Sequence, residues 1–336
     1  MSAQASRGRR LGGVLRDRGG LRLVLTERPL FLAVLMILTI GVNAAVVADF
    51  FTFNNLAGST AYAVELGLLS LGQMIVIITG AGAIDLSVGS MVSLSSMFFG
   101  LVVTRGHLNL WLAAVATLGF GVLLGSINGV LVTAFRFPAL IVTLATLYAY
   151  GSIPLVLTGT AAISNLPADL YQLTNSVGGI PLQVLVVYLP VIVVVAFLLR
   201  RTVVGRHLYG VGTNPVAAQF AVTPVAWTRF CAFATSGLLA SMAAVVATAR
   251  FASARPDAGV GLELQSITVA MLGGVAITGG SGTVSGVVLA TLLITIINNG
   301  LNLANVQATW QLGALGLILI GSAILNRMVQ RRFGRQ

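Results

Sequence analysis

The sequence predicts an all-α polytopic membrane protein of about ten transmembrane helices, with the N- and C-termini both cytoplasmic. Three observations carry that expectation. Of 336 residues, 57% are hydrophobic and 8% charged, whereas a soluble domain carries about a quarter charged residues. Ten apolar stretches approach the roughly 20 residues that a helix needs to cross the hydrocarbon core. The 19 basic residues, all Arg, fall unevenly on alternate connecting segments, as they do when one set of loops is cytoplasmic.

Residues 1–28 hold seven Arg and run straight into the first apolar stretch, with no small-residue cleavage site between them. They read as a retained basic cytoplasmic tail rather than a signal peptide. The spans fall near 29–48, 61–82, 87–103, 110–133, 138–158, 182–199, 224–248, 262–278, 284–300 and 310–326. A transmembrane domain over 29–326 and a second cytoplasmic tail over 327–336 follow. With the first tail inside, the inner segments and span ends collect 16 Arg, and the outer segments only Arg105, Arg250 and Arg255. An odd number of spans would put the last Arg cluster outside. The longest outer segment, 159–181, contains Asp169 and a run of turn formers, and leaves no room for an external domain.

Composition also excludes whole classes. The +11 net charge sits at span ends and tails, so it is no nucleic-acid footprint. A single cysteine, Cys231, lies in an apolar span, which rules out an intrachain disulfide. Two isolated histidines, His107 and His207, make no metal-ligand cluster. Without lysine there is no phosphate-binding loop of the Gly-x-x-x-x-Gly-Lys type, so the chain hydrolyses no nucleotide by that route. No run of membrane Asp, Glu or His forms a proton relay, and no catalytic constellation is present.

Two glycine-rich segments stand apart from the small residues that let membrane helices pack closely. Thr79–Gly89 joins spans two and three, and Leu272–Thr283 joins spans eight and nine. Each breaks helix where the membrane begins or ends, which is tolerated only in protein contacts or beside a watery cavity. Asp85 is the only acid in these inner hairpins. Its carboxylate is placed to cap span three through the N–H groups of Ser87 and Val88, or to contact a translocated solute. Glu65 and Glu263 read as acids near the outer starts of spans two and eight. Gln73, Asn298, Asn299 and Asn302 are amides within or near spans, suited to bind a hydroxyl-rich solute or to pair helices. The expected path or gate therefore comprises Gln73, Asp85, Ser87, Glu263, Gly280, Asn298 and Asn299.

The stretch 200–222 is a long polar interruption between two spans, on the inner side. After its basic start comes a turn signal, Val211-Gly212-Thr213-Asn214-Pro215. Asn214 at the N-cap and Pro215 at the first helical position predict a short helix over 215–222. The pattern Arg201, Thr202, Gly205, Arg206, Tyr209, Gly212, Asn214, Ala217 and Ala218 resembles the cytoplasmic loop of permease subunits in bacterial ribose-type ABC sugar importers. The resemblance continues at Gly82 and Ile84–Gly89, at Glu263-Leu264 with Gly273-Gly274, Gly279-Gly280, Gly282 and Gly286, and at Asn299–Leu303. It covers about residues 50–325. Two places depart from it. After Ala218 the family usually has a basic residue and a glycine, where this chain has Gln219-Phe220-Ala221-Val222. Val275-Ala276-Ile277 replaces small, polar hairpin residues.

This resemblance implies a transport subunit rather than an enzyme, one of two permeases (identical or different) that enclose a path across the bacterial inner membrane. A cytoplasmic ABC ATPase, which binds the ATP, would dock on the inner loops through Arg206, Gly212, Asn214, Pro215, Ala217 and Ala218. A periplasmic sugar-binding protein would deliver a monosaccharide. The chain itself would need no cofactor and no metal, and would contact membrane lipid. Importers of the same build for branched-chain amino acids, nucleosides or a furanosyl signal molecule, and a secondary carrier working without an ATPase, are the other readings.

Overall fold

A computed structural model describes residues 28–47 and 50–333. The expected tail over 1–28, except Arg28, lies outside the described residues, as do residues 334–336. The chain is built from helices: α1 (Arg28–Val46), α2 (Phe53–Ile78), α3 (Val88–Thr104), α4 (Leu110–Thr133), α5 (Ala139–Thr158), α6 (Leu189–Arg201), α7 (Val203–Thr213), α8 (Pro215–Phe220), α9 (Val225–Phe251), α10 (Leu262–Leu272), α11 (Val284–Leu303) and α12 (Ala308–Phe333). A π-helical turn, Val184–Tyr188, leads into α6. A 3-10 helix, Ala168–Thr174, precedes a minimal antiparallel hairpin, β1 (Ser176–Val177) and β2 (Ile180–Pro181).

Among the described residues six helices are long and apolar enough to cross a membrane: 55–78, 110–133, 139–158, 184–201, 225–251 and 284–303. Shorter apolar helices occupy 30–46, 88–104, 262–272 and 309–321. These apolar helices overlap the places of the expected spans, and the six long ones make the chain a multi-pass membrane protein. Burial sorts their roles. Of the apolar window in α2, 89% is buried, against 17% for the 184–201 helix. Thus α2 is the core, whereas the 184–201 helix turns most of its surface outward, as a lipid-facing helix does. The long α9 packs on α2, α3 and α4. Small residues permit this: a Cβ on Gly125 would meet the Phe233 carbonyl, and one on Gly121 the Gly237 carbonyl. Close backbone approach of this kind replaces the hydrophobic drive that is absent between helices in lipid.

The expected span 262–278 is corrected. The helix ends at Leu272, where Gly273 and the left-handed Gly274 (φ 90°) turn the chain. Eleven residues rise only about 16 Å, half a bilayer core. What would be open backbone is covered by protein, because α10 packs against α2, α3, α11 and α12. Glu65 is likewise not near a helix start. The side chain of Thr52 accepts from Asn55 N and begins α2 at Phe53, which places Glu65 in the helix body.

The connections gather at two ends. Gly80, Arg136 and Gln219 line one cavity, and Gly80, Gly212 and Gly279 touch one another, so 79–87, 134–138, 202–224 and 273–283 share an end. At the opposite end Ile163 bridges Ala254, Gly179 meets Phe53, and Asn299 bonds Asn55. There Leu170 of the 3-10 helix and Leu166 just before it pack onto Phe99, Val103 and Ala249. Successive loops alternate between the two ends.

Candidate functional site

The interruption at 200–222 is more ordered than its turn signal implied. It holds two helices, not one. Helix α7 continues to Thr213, and Asn214 then leaves helical geometry (φ −155°, ψ 99°) so that its side chain accepts from Ala217 N at 3.0 Å and starts α8. Pro215 costs no hydrogen bond at that position. Ala218 is buried against the body of the protein, while Arg206, Asn214, Pro215 and Ala217 are exposed. The apolar tip around α8 points away: Val216 is 60% exposed, Phe220 86% and Val222 90%. Val222 is also held at φ 57°, a region β-branched residues avoid. Phe220 and Val222 were not expected there; they are the positions at which the chain departs from the family pattern.

Behind this tip, α7 ends in a junction made of backbone. A Cβ on Gly212 would strike the Ile78 carbonyl and Gly280 N; one on Gly279 would strike Gly80. Gly280 N donates to Ile78 O at 3.0 Å, and the Tyr209 hydroxyl donates to Gly282 O at 2.8 Å. Gly80, Gly82, Gly279 and Gly280 all have φ between 69° and 88°, where glycine is at ease. The last turn of α7 therefore touches both glycine-rich hairpins at once.

Of the expected path residues, Gln73, Asp85 and Ser87 come together, but in the interior, each wholly buried. Asp85 accepts from Ser87 N (3.0 Å), Ser87 Oγ (2.6 Å) and Ser236 Oγ (2.9 Å). Asn128 Nδ2 donates to Ser87 Oγ at 2.8 Å, and Thr143 Oγ1 to Ile84 O at 3.0 Å. With its amide turned to pair both atoms, Gln73 donates to Asp85 O and accepts from Asp85 N at 3.1 and 3.2 Å. One short loop is thus tied to α2, α4, α5 and α9. Buried carboxylates are stable only with such partners. Of the two expected cap bonds, from Ser87 N and Val88 N, the structure shows the one from Ser87 N, and the tie to Ser236 on α9 is additional.

Glu263 stands apart, its Oε1 accepting from Gly261 N at 3.2 Å beside Gly89. Asn298 and Asn299 wall a cavity of about 460 Å³ at the opposite end. Gln265, Thr295 and Tyr62 also line it. Arg250 closes one side, forked onto Glu65 (Nε–Oε1 2.7 Å, Nη2–Oε2 2.8 Å) and sandwiched between Tyr62 and Phe251 at 4.6 and 4.1 Å. A second cavity, about 760 Å³, opens at the hairpin end beside Arg136, Gln219 and Arg229. Among the described residues no group of three His, Cys, Asp or Glu could hold a metal.

A bundle of long apolar helices whose connecting helix α8 is joined through α7 to two glycine-rich hairpins has the build of a multi-pass membrane protein. Residues 55–323 match the family described as the permease component of the branched-chain amino acid transport system, and the chain belongs to that family. It is similar to a probable ABC transporter permease protein of Sinorhizobium fredii, 35% identical over 303 residues (90% of this chain, 89% of the relative). It is similar to the autoinducer 2 import system permease LsrC of an Enterobacter species, 35% identical over 311 residues (92% and 89%). The ribose import permease RbsC of Haemophilus influenzae is 32% identical over 307 residues (90% and 93%). No solved structure matches. The chain is thus a permease of the ABC importer type.

Proposed function

We propose that the chain is the transmembrane subunit of an ATP-driven importer that carries a monosaccharide, ribose or a related sugar, inward across the bacterial inner membrane. The long apolar helices cross the membrane, α10 enters it only part-way and is continued by the 273–283 hairpin, and both termini are cytoplasmic, so that the hairpin end faces the cytoplasm. A cytoplasmic ABC ATPase binds and hydrolyses the ATP and docks on α8. A periplasmic binding protein presents the sugar at the opposite end, and a second permease completes the path. The observation that carries this reading is the gearing of α7 and α8. An exposed, capped helix is joined through Gly212 to both hairpins, so a push on α8 reaches the loops on both sides of it.

Asn214, Ala217 and Ala218 hold α8 in shape, and Phe220 with Val216 supplies the contact area. Asp85, Ser87 and Gln73 serve the path indirectly, by fixing the hairpin that moves. The test is reconstitution into proteoliposomes with the co-purifying ATPase and binding protein. Uptake should require ATP, and Phe220→Asp should abolish ATPase association while the permease still elutes as a folded species. Uptake of solute by the chain alone, without ATP, would overturn the reading.

A further inference from the structure

We infer that the cavity between α2, α9, α10 and α11 is a solute subsite of the permease itself, built for an uncharged, hydroxyl-rich molecule of monosaccharide size. This rests on the importer reading and adds where the solute is held and what chemistry selects it. Its volume of about 460 Å³ lies within the ~300–1,000 Å³ of small-molecule sites.

The wall is dominated by uncharged groups that both donate and accept. Asn298 and Gln265 line the cavity and neither amide is bonded to a described residue. Asn299 spends one donor on Asn55 Oδ1 (3.1 Å), which leaves its own oxygen available. A primary amide offers two donors and two lone pairs, which matches vicinal hydroxyls, each a donor and an acceptor.

The two charged groups in the wall are already matched. Arg250 forks Nε and Nη2 onto the Glu65 carboxylate, so the pair carries no net charge. An anionic solute would have to compete with a carboxylate held at 2.7 Å, and a cationic one with a guanidinium. Tyr62 lines the same wall, with one face of its ring under the Arg250 guanidinium at 4.6 Å. A zwitterionic amino acid with a branched side chain needs an unpaired cation, an unpaired anion and an apolar pocket. Among the described residues of this wall only Leu66 and Leu262 are aliphatic.

The test measures direct binding to the purified full-length chain in detergent, by ligand-observed saturation-transfer NMR with D-ribose, ribose 5-phosphate and L-leucine as probes at equal millimolar concentration. D-Ribose should give the strong signal. Asn298→Ala with Gln265→Ala should weaken it about tenfold, the loss expected when hydroxyl-binding groups are removed, and leave the elution profile unchanged. Equal signals from wild type and the double variant would overturn the proposal. So would a ribose 5-phosphate or leucine signal, stronger than that of ribose, that the variant removes. Should the variant fail to fold, the order of the three probes on the wild-type chain decides alone. No ATPase is present in this experiment, so it fails or succeeds independently of ATP-driven uptake.

Discussion

Asp85→Ala should destabilise the protein rather than merely slow transport. The carboxylate accepts three hydrogen bonds at 3.0, 2.6 and 2.9 Å with no solvent at hand. Truncation orphans the Ser87 N–H, which cannot turn elsewhere, at about 1–3 kcal/mol. The two serine hydroxyls can rotate towards helix carbonyls, so they add about 1 kcal/mol together, as lost ordinary hydrogen bonds do. The cavity left by the carboxyl adds about another 1 kcal/mol, and relief of the buried charge subtracts a comparable amount. The net is about 3 kcal/mol, or a fall of about 6–12 °C in melting temperature at ~2–4 °C per kcal/mol. Asp85→Asn keeps an acceptor for Ser87 N and should fall by less than half of that. Fluorescence-detected size exclusion after heating steps measures both. If Asp85→Ala melts within about 2 °C of wild type, less than 1 kcal/mol on that scale, while ATP-driven uptake is lost, Asp85 touches the solute and the interior-tie reasoning fails.

Gly212→Ala should separate α7 from the hairpins at an overpacking cost of about 1–3 kcal/mol; ATP hydrolysis should continue with uptake per ATP reduced, and unchanged stoichiometry would contradict the junction. Arg250→Ala strands Glu65, only 4% exposed, at about 3–5 kcal/mol, and the paired Glu65→Gln, Arg250→Met variant should recover most of the lost melting temperature. Arg255 and Asp257, at 42% and 55% side-chain exposure, form the contrasting surface pair. The hydrogen bond from Arg255 holds the Asp257 carboxyl below its ordinary 3.8, so any stabilisation is present above that pH and is lost as pH falls through the lowered value. Melting temperature should therefore be flat between about pH 5 and 8, and Arg255→Ala should leave it unchanged.

The places of ten apolar helices were legible because apolar run length is a local signal. So was the Asn214–Pro215 helix start, since a cap and its first turn are neighbours in sequence. The helix over Val203–Thr213 was not, because its three glycines (Gly205, Gly210 and Gly212) read as loop residues; Gly205 and Gly212 are there because Leu199 and Ile78 pass against them. The span at 262–278 was overdrawn because Val275-Ala276-Ile277 is apolar without being helical; Val275 and Ala276 are buried. The ties that build the site join residues far apart: Asp85 to Ser236 across 151 positions, Glu65 to Arg250 across 185. Nothing in one chain's periodicity says which apolar faces meet. The outer amides were found as residue types, but their shared wall needed α2, α9 and α11 to be side by side.

The junction of Gly80, Gly212 and Gly279 is made of main chain and offers no side-chain chemistry to any cargo. It lies at one end of α2, whereas Glu65 and Tyr62 face the cavity at the other, about 20 Å away for the thirteen to sixteen residues from there to Ile78 at 1.5 Å each. A machine arranged in this way separates its gearbox from its grip. The lining near Asn298 can be rewritten residue by residue for a new cargo while the part that responds to the motor stays as it is. Conversely, a single methyl group added in the gearbox should impair the handling of every cargo alike.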